Sequence, residues 1–115
     1  MQNLEQIRAA AALPVALHLK RSAISKLPGL ILNNGLLAAS AFCDAPGGGN
    51  NRPDQARAID AVAIHLAARG IVGNQVNTIQ LMIRDLSARD SLALQRATSE
   101  ALAFLSYLKR FATND

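Results

Sequence analysis

Apolar residues in this chain recur at steps of three and four, the period of a helix with one buried face. No sustained every-second-residue alternation marks a strand. The clearest run is Ser91 to Ala112, which contains neither Gly nor Pro. Its Leu94, Ala97, Ala101, Leu105, Leu108 and Ala112 fall on one helical line, which Phe104 and Phe111 widen, and Asp90 stands in position to cap it. An earlier helix is expected from Asn3 to Ala23, capped by Asn3, with Leu4, Ile7, Ala11 and Val15 on one apolar line and Ala10, Leu17 and Ile24 broadening it. Pro14 lies inside it and leaves the Ala10 carbonyl without a partner, so a kink is predicted there. A second helix should open at Ser25 as cap, with Pro28 in its first turn, and run to Cys43 with a bend at Asn33, Asn34 and Gly35. A third spans Pro53 to Arg69, buries Ile59, Val62, Ala63 and Leu66, and stops at Gly70. A fourth spans Thr78 to Ser87 with Asn77 as cap and buries Ile79, Met82, Ile83 and Leu86. The expected fold is all-α: a compact antiparallel bundle of about five helices with no sheet, forming one domain over residues 1–115. The Gly/Asn-rich stretch from Asp44 to Arg52 is predicted to be a flexible loop near 44–52. No repeat at a solenoid period is present.

Composition narrows the class. In 115 residues half are hydrophobic, only 3% are aromatic and none is Trp, so Ala and Leu make the core. The single cysteine, Cys43, has no internal disulfide partner and reads as a small buried hydrophobe. The uncharged stretch from Leu27 to Cys43 is interrupted by Pro28, Gly29, Asn33, Asn34 and Gly35 and falls short of the ~20 apolar residues that a membrane span needs. With no secretory pattern from Met1 to Leu13, a soluble, cytoplasmic protein without membrane contact is expected.

Charge is unevenly placed. Between Glu5 and Asp44 there is no acid, while Arg8, Lys20, Arg21 and Lys26 are all basic. The remaining eight bases are matched by eight acids, so the whole net charge of +4 belongs to the first third. The last helix adds Arg96 and Arg110, about four turns apart, with Ser99, Ala103 and Ser106 between them, a smooth track roughly 20 Å long. Such a surface fits a polyanion backbone. The alternative is a solvated face, with Lys20 and Arg21 complementing a helix dipole.

Reactive constellations are missing from the pattern. His18 and His65 stand alone at no metal-ligand spacing, and Cys43 has no base nearby in sequence. Gly47 to Gly49 lack the Lys-Ser/Thr of a phosphate-binding loop, and Glu100 sits four residues after Arg96, placed to pair with it. No enzymatic activity, cofactor or metal is expected. Asn33 and Asn34 lie among Leu and Ile, where an unpaired amide is costly, and Gly35 in a helix costs about 1 kcal/mol relative to Ala. These three positions mark a bend, a tight helix crossing or a ligand contact.

The segment Lys26-Leu27-Pro28-Gly29-Leu30-Ile31 leads into Asn34-Gly35-Leu36 and Ala41-Phe42. At the other end stand Thr98-Ser99-Glu100-Ala101-Leu102-Ala103-Phe104-Leu105 and Leu108-Lys109-Arg110-Phe111-Ala112. Together these motifs resemble one family: the small α-helical subunit of the type III-B CRISPR effector, the fifth subunit of the Cmr (RAMP module) complex. The likeness covers the first helix with Arg8, Leu27 to Phe42, Asp60 to Val72, and Thr98 to Ala112. Members usually carry an aromatic, often Trp, where this chain has Tyr107. The resemblance implies a non-catalytic helical bundle in an antiviral RNA-guided complex. It would stack with copies of itself into a short filament beside the other Cmr subunits and line the path of the guide RNA–target RNA duplex.

On that reading Lys20, Arg21, Lys26, Arg96, Lys109 and Arg110 are the candidate phosphate contacts, and Asn33, Asn34 and Gly35 serve the bend or assembly. Arg52 and Arg69 would lie apart from this surface. Sequence-independent contacts suit a complex in which base pairing reads the sequence. The scarcity of aromatics argues against a stacking platform for single strands. A structural protein–protein adaptor is the alternative from another class. A DNA-binding helix-turn-helix built on the third and fourth helices ranks last, because the fourth carries only Arg84 as a base.

Overall fold

In a computed structural model, which describes residues 2–114, the chain forms seven helices among those residues. They are α1 (Leu4–Ala16), α2 (Arg21–Ser25), α3 (Leu27–Asn34), α4 (Leu36–Asp44), α5 (Arg52–Ala68), α6 (Ile79–Ser87) and α7 (Ser91–Phe111). No strand occurs among the described residues; one isolated parallel bridge joins Lys20 to Asn114. The expected five helices become seven because two of them break. The chain leaves α1 two residues after Pro14, turns through Leu17–Leu19, and restarts as α2. Two captures fix this turn. The Lys20 amide donates to Asp54 Oδ2 at 2.8 Å, and the Arg21 amide donates to the Asn114 carbonyl at 2.9 Å.

The second break is at Gly35. Its φ of 89° and ψ of 157° lie in a region essentially reserved for glycine, and it ends α3 while starting α4. A Cβ built on Gly35 would meet nothing within 4 Å, so no tight crossing requires this glycine; the backbone angle does. Asn33 and Asn34 are exposed rather than set among the apolar residues, because the bend turns them outward. Asn34 Nδ2 donates to the Leu30 carbonyl at 3.1 Å, one turn back along α3.

Caps follow the sequence closely. Asn3 makes a full capping box with Gln6, and Asp90 Oδ1 accepts from the Ala93 amide at 2.9 Å. Two caps differ. Thr78, not Asn77, caps α6 by accepting from the Leu81 amide, because the helix starts one residue later. Ser25 caps nothing and instead donates to the Ser22 carbonyl, since α2 intervenes.

One core joins all seven helices. Ile59, Val62 and Leu66 of α5, Met82 and Leu86 of α6, and Phe104, Leu105 and Leu108 of α7 are at its centre. Ile83 is half-buried. Cys43 is buried and free, and burial pushes its thiol pKa up, as for an inert apolar residue. On α1 the buried line is Ala12 and Ala16, continued by Leu19; Leu4, Ala10 and Leu17 face outward, contrary to expectation. The wheel is rotated because small alanines let α1 lie close along α7.

The antiparallel arrangement holds only in part. Arg8 is level with Glu100, while Leu17 and Arg21 are level with Asn114 and Lys109, so α1 and α7 run parallel. α5 runs against both: its His65 end meets Arg8's partner Glu100, and its Asp54–Gln55 end meets Lys20 and Ala23.

Candidate nucleic-acid interface

α7 sorts its charged residues by direction. Glu100 points into the bundle and Arg96, Lys109 and Arg110 point out. The expected Arg96–Glu100 pair is absent; Glu100 is taken by residues distant in sequence. Arg8 holds it as a fork, with Nε to Oε2 at 2.9 Å and Nη2 to Oε1 at 2.8 Å. His65 Nε2 lies 2.8 Å from Glu100 Oε2, and its ring stacks on Phe104 with centroids 4.7 Å apart. The Arg8 guanidinium, opposed by burial and aided by His65, holds the Glu100 carboxyl down at about 2. Glu100 is therefore ionised at neutral pH, and His65 Nε2 carries the hydrogen and donates. His65 Nδ1 is buried with no hydrogen-bond partner among the described residues. This cluster ties α1, α5 and α7 together at one level.

The outward row is open. Arg96, Ser99, Ser106 and Arg110 are exposed and Ala103 is half-buried, so the smooth track expected from the sequence is present on the surface. Among the described residues no acid pairs with Arg96, Lys109 or Arg110. Arg21 joins the far end of the track. Its Nε donates to the Lys109 carbonyl at 3.2 Å and Nη2 to the Arg110 carbonyl at 3.4 Å, and Arg21, Ser106, Lys109 and Arg110 surround a shallow hollow of about 350 Å³. Arg21 thus complements the dipole of α7, not of its own helix, and adds its charge to those of Lys109 and Arg110.

Lys20 and Lys26 belong elsewhere. They line a larger hollow of about 690 Å³ together with Arg52, Phe42 and the loop residues Gly48 and Asn50. The six candidates therefore form two groups rather than one face. Arg52 is not apart from the basic surface, as expected, but is part of the second group. Its Nη1 donates to the Phe42 and Ala45 carbonyls at 2.8 and 2.9 Å, and its guanidinium carbon lies 4.2 Å from the centre of the Phe42 ring. Gly48, with φ of 85°, lies against that guanidinium, where a side chain would collide with it. Lys20 Nζ donates to the Asn50 carbonyl at 3.4 Å, a second tie between the glycine loop and the bundle.

Sequence reasoning missed Arg52, Phe42 and the Arg8–Glu100–His65 cluster. The cluster left a signal: Glu100 falls between Ala97 and Phe104 on the buried line, and His65 between Val62 and Leu66. A buried carboxylate requires a cation. No signal of that kind marks Arg52, whose neighbours come from α2 and α4. The helix-turn-helix reading loses its geometry as well. Residues 69–78 separate α5 from α6, far more than the ~4-residue turn of that motif.

The site is thus carried by a small all-helical protein whose outer row on α7 is cationic and whose inward carboxylate is locked by other parts of the chain. No group of three or more potential metal ligands, and no helix long and apolar enough to cross a membrane, occurs among the described residues. A family model described as CRISPR-associated protein (Cas_Cmr5) matches residues 4–114, and the chain belongs to that family of non-catalytic small subunits of the Cmr complex. No curated protein and no solved structure matches the chain at a significant level.

Proposed function

We propose that this subunit stacks along the guide–target RNA duplex of a Cmr complex and contacts its phosphate backbone through the outer face of α7. The observation that carries this reading is the row Arg96–Ser99–Ala103–Ser106–Arg110. It is open to solvent, free of acids, and continued at one end by Lys109 and Arg21. Small side chains between the cations let a backbone approach closely. Contacts of this kind carry no sequence information, as befits a complex whose guide supplies the specificity.

Partner contacts have their own supply of surface. Leu13, Leu17, Leu32 and Leu92 are 49–73% exposed, and Leu13 and Leu17 share one side of α1 with Ala10. These residues support contacts with other Cmr subunits and with copies of the chain in a filament. They also favour the second reading, a structural adaptor that touches no RNA. Target-RNA affinity of the assembled complex carrying Arg96→Glu with Arg110→Glu separates the two. The proposal predicts a clear loss with assembly intact. Unchanged affinity leaves the adaptor reading.

A further inference from the structure

The hollow beside Arg52 differs in kind from the α7 track. Three cations converge on it, Lys20 from the start of α2, Lys26 from the start of α3 and Arg52 from the start of α5, and among the described residues no carboxylate lines it. Lys26 is exposed and without an ion-pair partner among the described residues. Arg52 Nε is buried with no hydrogen-bond partner among the described residues. At the rim stands Phe42, an aromatic residue left 51% exposed in a chain with only four aromatic side chains. Phe42 also borders a second hollow of about 350 Å³, lined by Leu30, Asn34, Ala38 and Ala39. The two hollows thus share one aromatic residue, the first being cationic and the second apolar with a single amide. Asn34 Nδ2 gives one of its two hydrogens to the Leu30 carbonyl, so the amide keeps its oxygen as acceptor and one N–H as donor.

A nucleotide has the same division: a phosphate at one end, and at the other a flat base with a hydrogen-bonding edge. We propose that these joined hollows bind a single unpaired nucleotide, with its phosphate among Lys20, Lys26 and Arg52 and its base on Phe42 beside Asn34. Arg52 backs one side of the ring, and stacking on an aromatic with a neighbouring cation is a recurrent way of holding an unpaired base. This site is separate from the α7 surface and does not depend on it.

The test is an NMR titration of the full chain with AMP, with inorganic phosphate, and with a six-nucleotide single-stranded RNA. AMP should shift the amides of Lys26, Asn34, Phe42 and Arg52, while phosphate should shift only the cationic side. Lys26→Ala, at an exposed position, should weaken AMP and phosphate alike by about tenfold, the size of one charge-assisted contact. Phe42→Leu keeps an apolar side chain and should weaken AMP about tenfold while sparing phosphate, which a purely electrostatic hollow would not show. Arg96→Glu with Arg110→Glu should leave AMP binding unchanged, so failure here is distinct from failure of the duplex-binding reading. Tighter binding of the RNA than of AMP identifies a strand as the source of the nucleotide, and equal binding identifies a free nucleotide. The proposal is overturned if AMP shifts no residue around Phe42, if its shifts spread equally along α7, or if folded Phe42→Leu binds AMP like the parent chain.

Discussion

The two sides of α7 use charge in opposite ways. Inward, a single carboxylate is clamped by an arginine 92 positions away and a histidine 35 positions away, and its pKa is driven down by that company. Outward, three cations have no acid partner among the described residues. The lesson is that a charged residue's sequence neighbours say little about its role. Arg96 and Glu100 are one helical turn apart, yet one is open to a ligand and the other belongs to the scaffold. The inner charges fix how α1, α5 and α7 sit; the outer charges are left unsatisfied by the fold and are available to something else.

Breaking the inner side should have the largest effect. Arg8→Ala leaves a buried carboxylate with only His65 beside it and should cost about 3 kcal/mol, reduced from the fully buried case because Arg8 is partly exposed. Urea denaturation with an unchanged slope would measure it. A loss below about half a kilocalorie would show that water replaces the arginine easily.

The bend at Gly35 ranks next. Because open space surrounds its Cβ position, the penalty comes from backbone angle alone. Gly35→Ala and Gly35→Leu should therefore destabilise by similar amounts, about 2 kcal/mol each. A much larger loss for Leu in thermal melts would point to a crowded helix crossing instead.

Acid should release the clamp. The folded pKa of Glu100 is about 2 against an ordinary 4.5, so its contribution is complete above about pH 4.5 and fades as pH falls toward 2. Stability measured by urea midpoints should fall across that window, and Glu100→Gln should flatten the fall while lowering stability at neutral pH. An identical acid profile in the variant would mean that other carboxylates govern it. On the outer side, by contrast, Arg96→Glu with Arg110→Glu should change stability by less than ~0.5 kcal/mol, since neither residue is ion-paired among the described residues.

Much of this architecture is legible in the sequence for physical reasons. Helix caps at Asn3 and Asp90 and the core lines of α5 and α7 depend on local spacing, which the sequence states directly. The row from Arg96 to Arg110 is likewise a property of one helix. What the sequence withholds depends on distant captures. Pro14 announces a disturbance in the first helix, but the turn after Ala16 is set by Asp54 and Asn114, which arrive from other parts of the chain. The division of the basic residues into two groups follows from that turn, which sends Lys20 toward Asp54 and Arg21 toward the end of α7. Phe42 escapes notice because exposure of an aromatic is decided by what the fold fails to cover.

The central claim is that the outer face of α7 is where this subunit meets RNA phosphates. The most direct measurement is the salt dependence of RNA binding by Arg96→Glu with Arg110→Glu, against Arg57→Glu with Arg84→Glu as the charge-matched control on exposed positions of α5 and α6. The account predicts a salt slope smaller by about two for the α7 pair, one for each phosphate that is no longer neutralised, and a near-parental slope for the control. Equal reductions in both pairs, or no change in either, would contradict it.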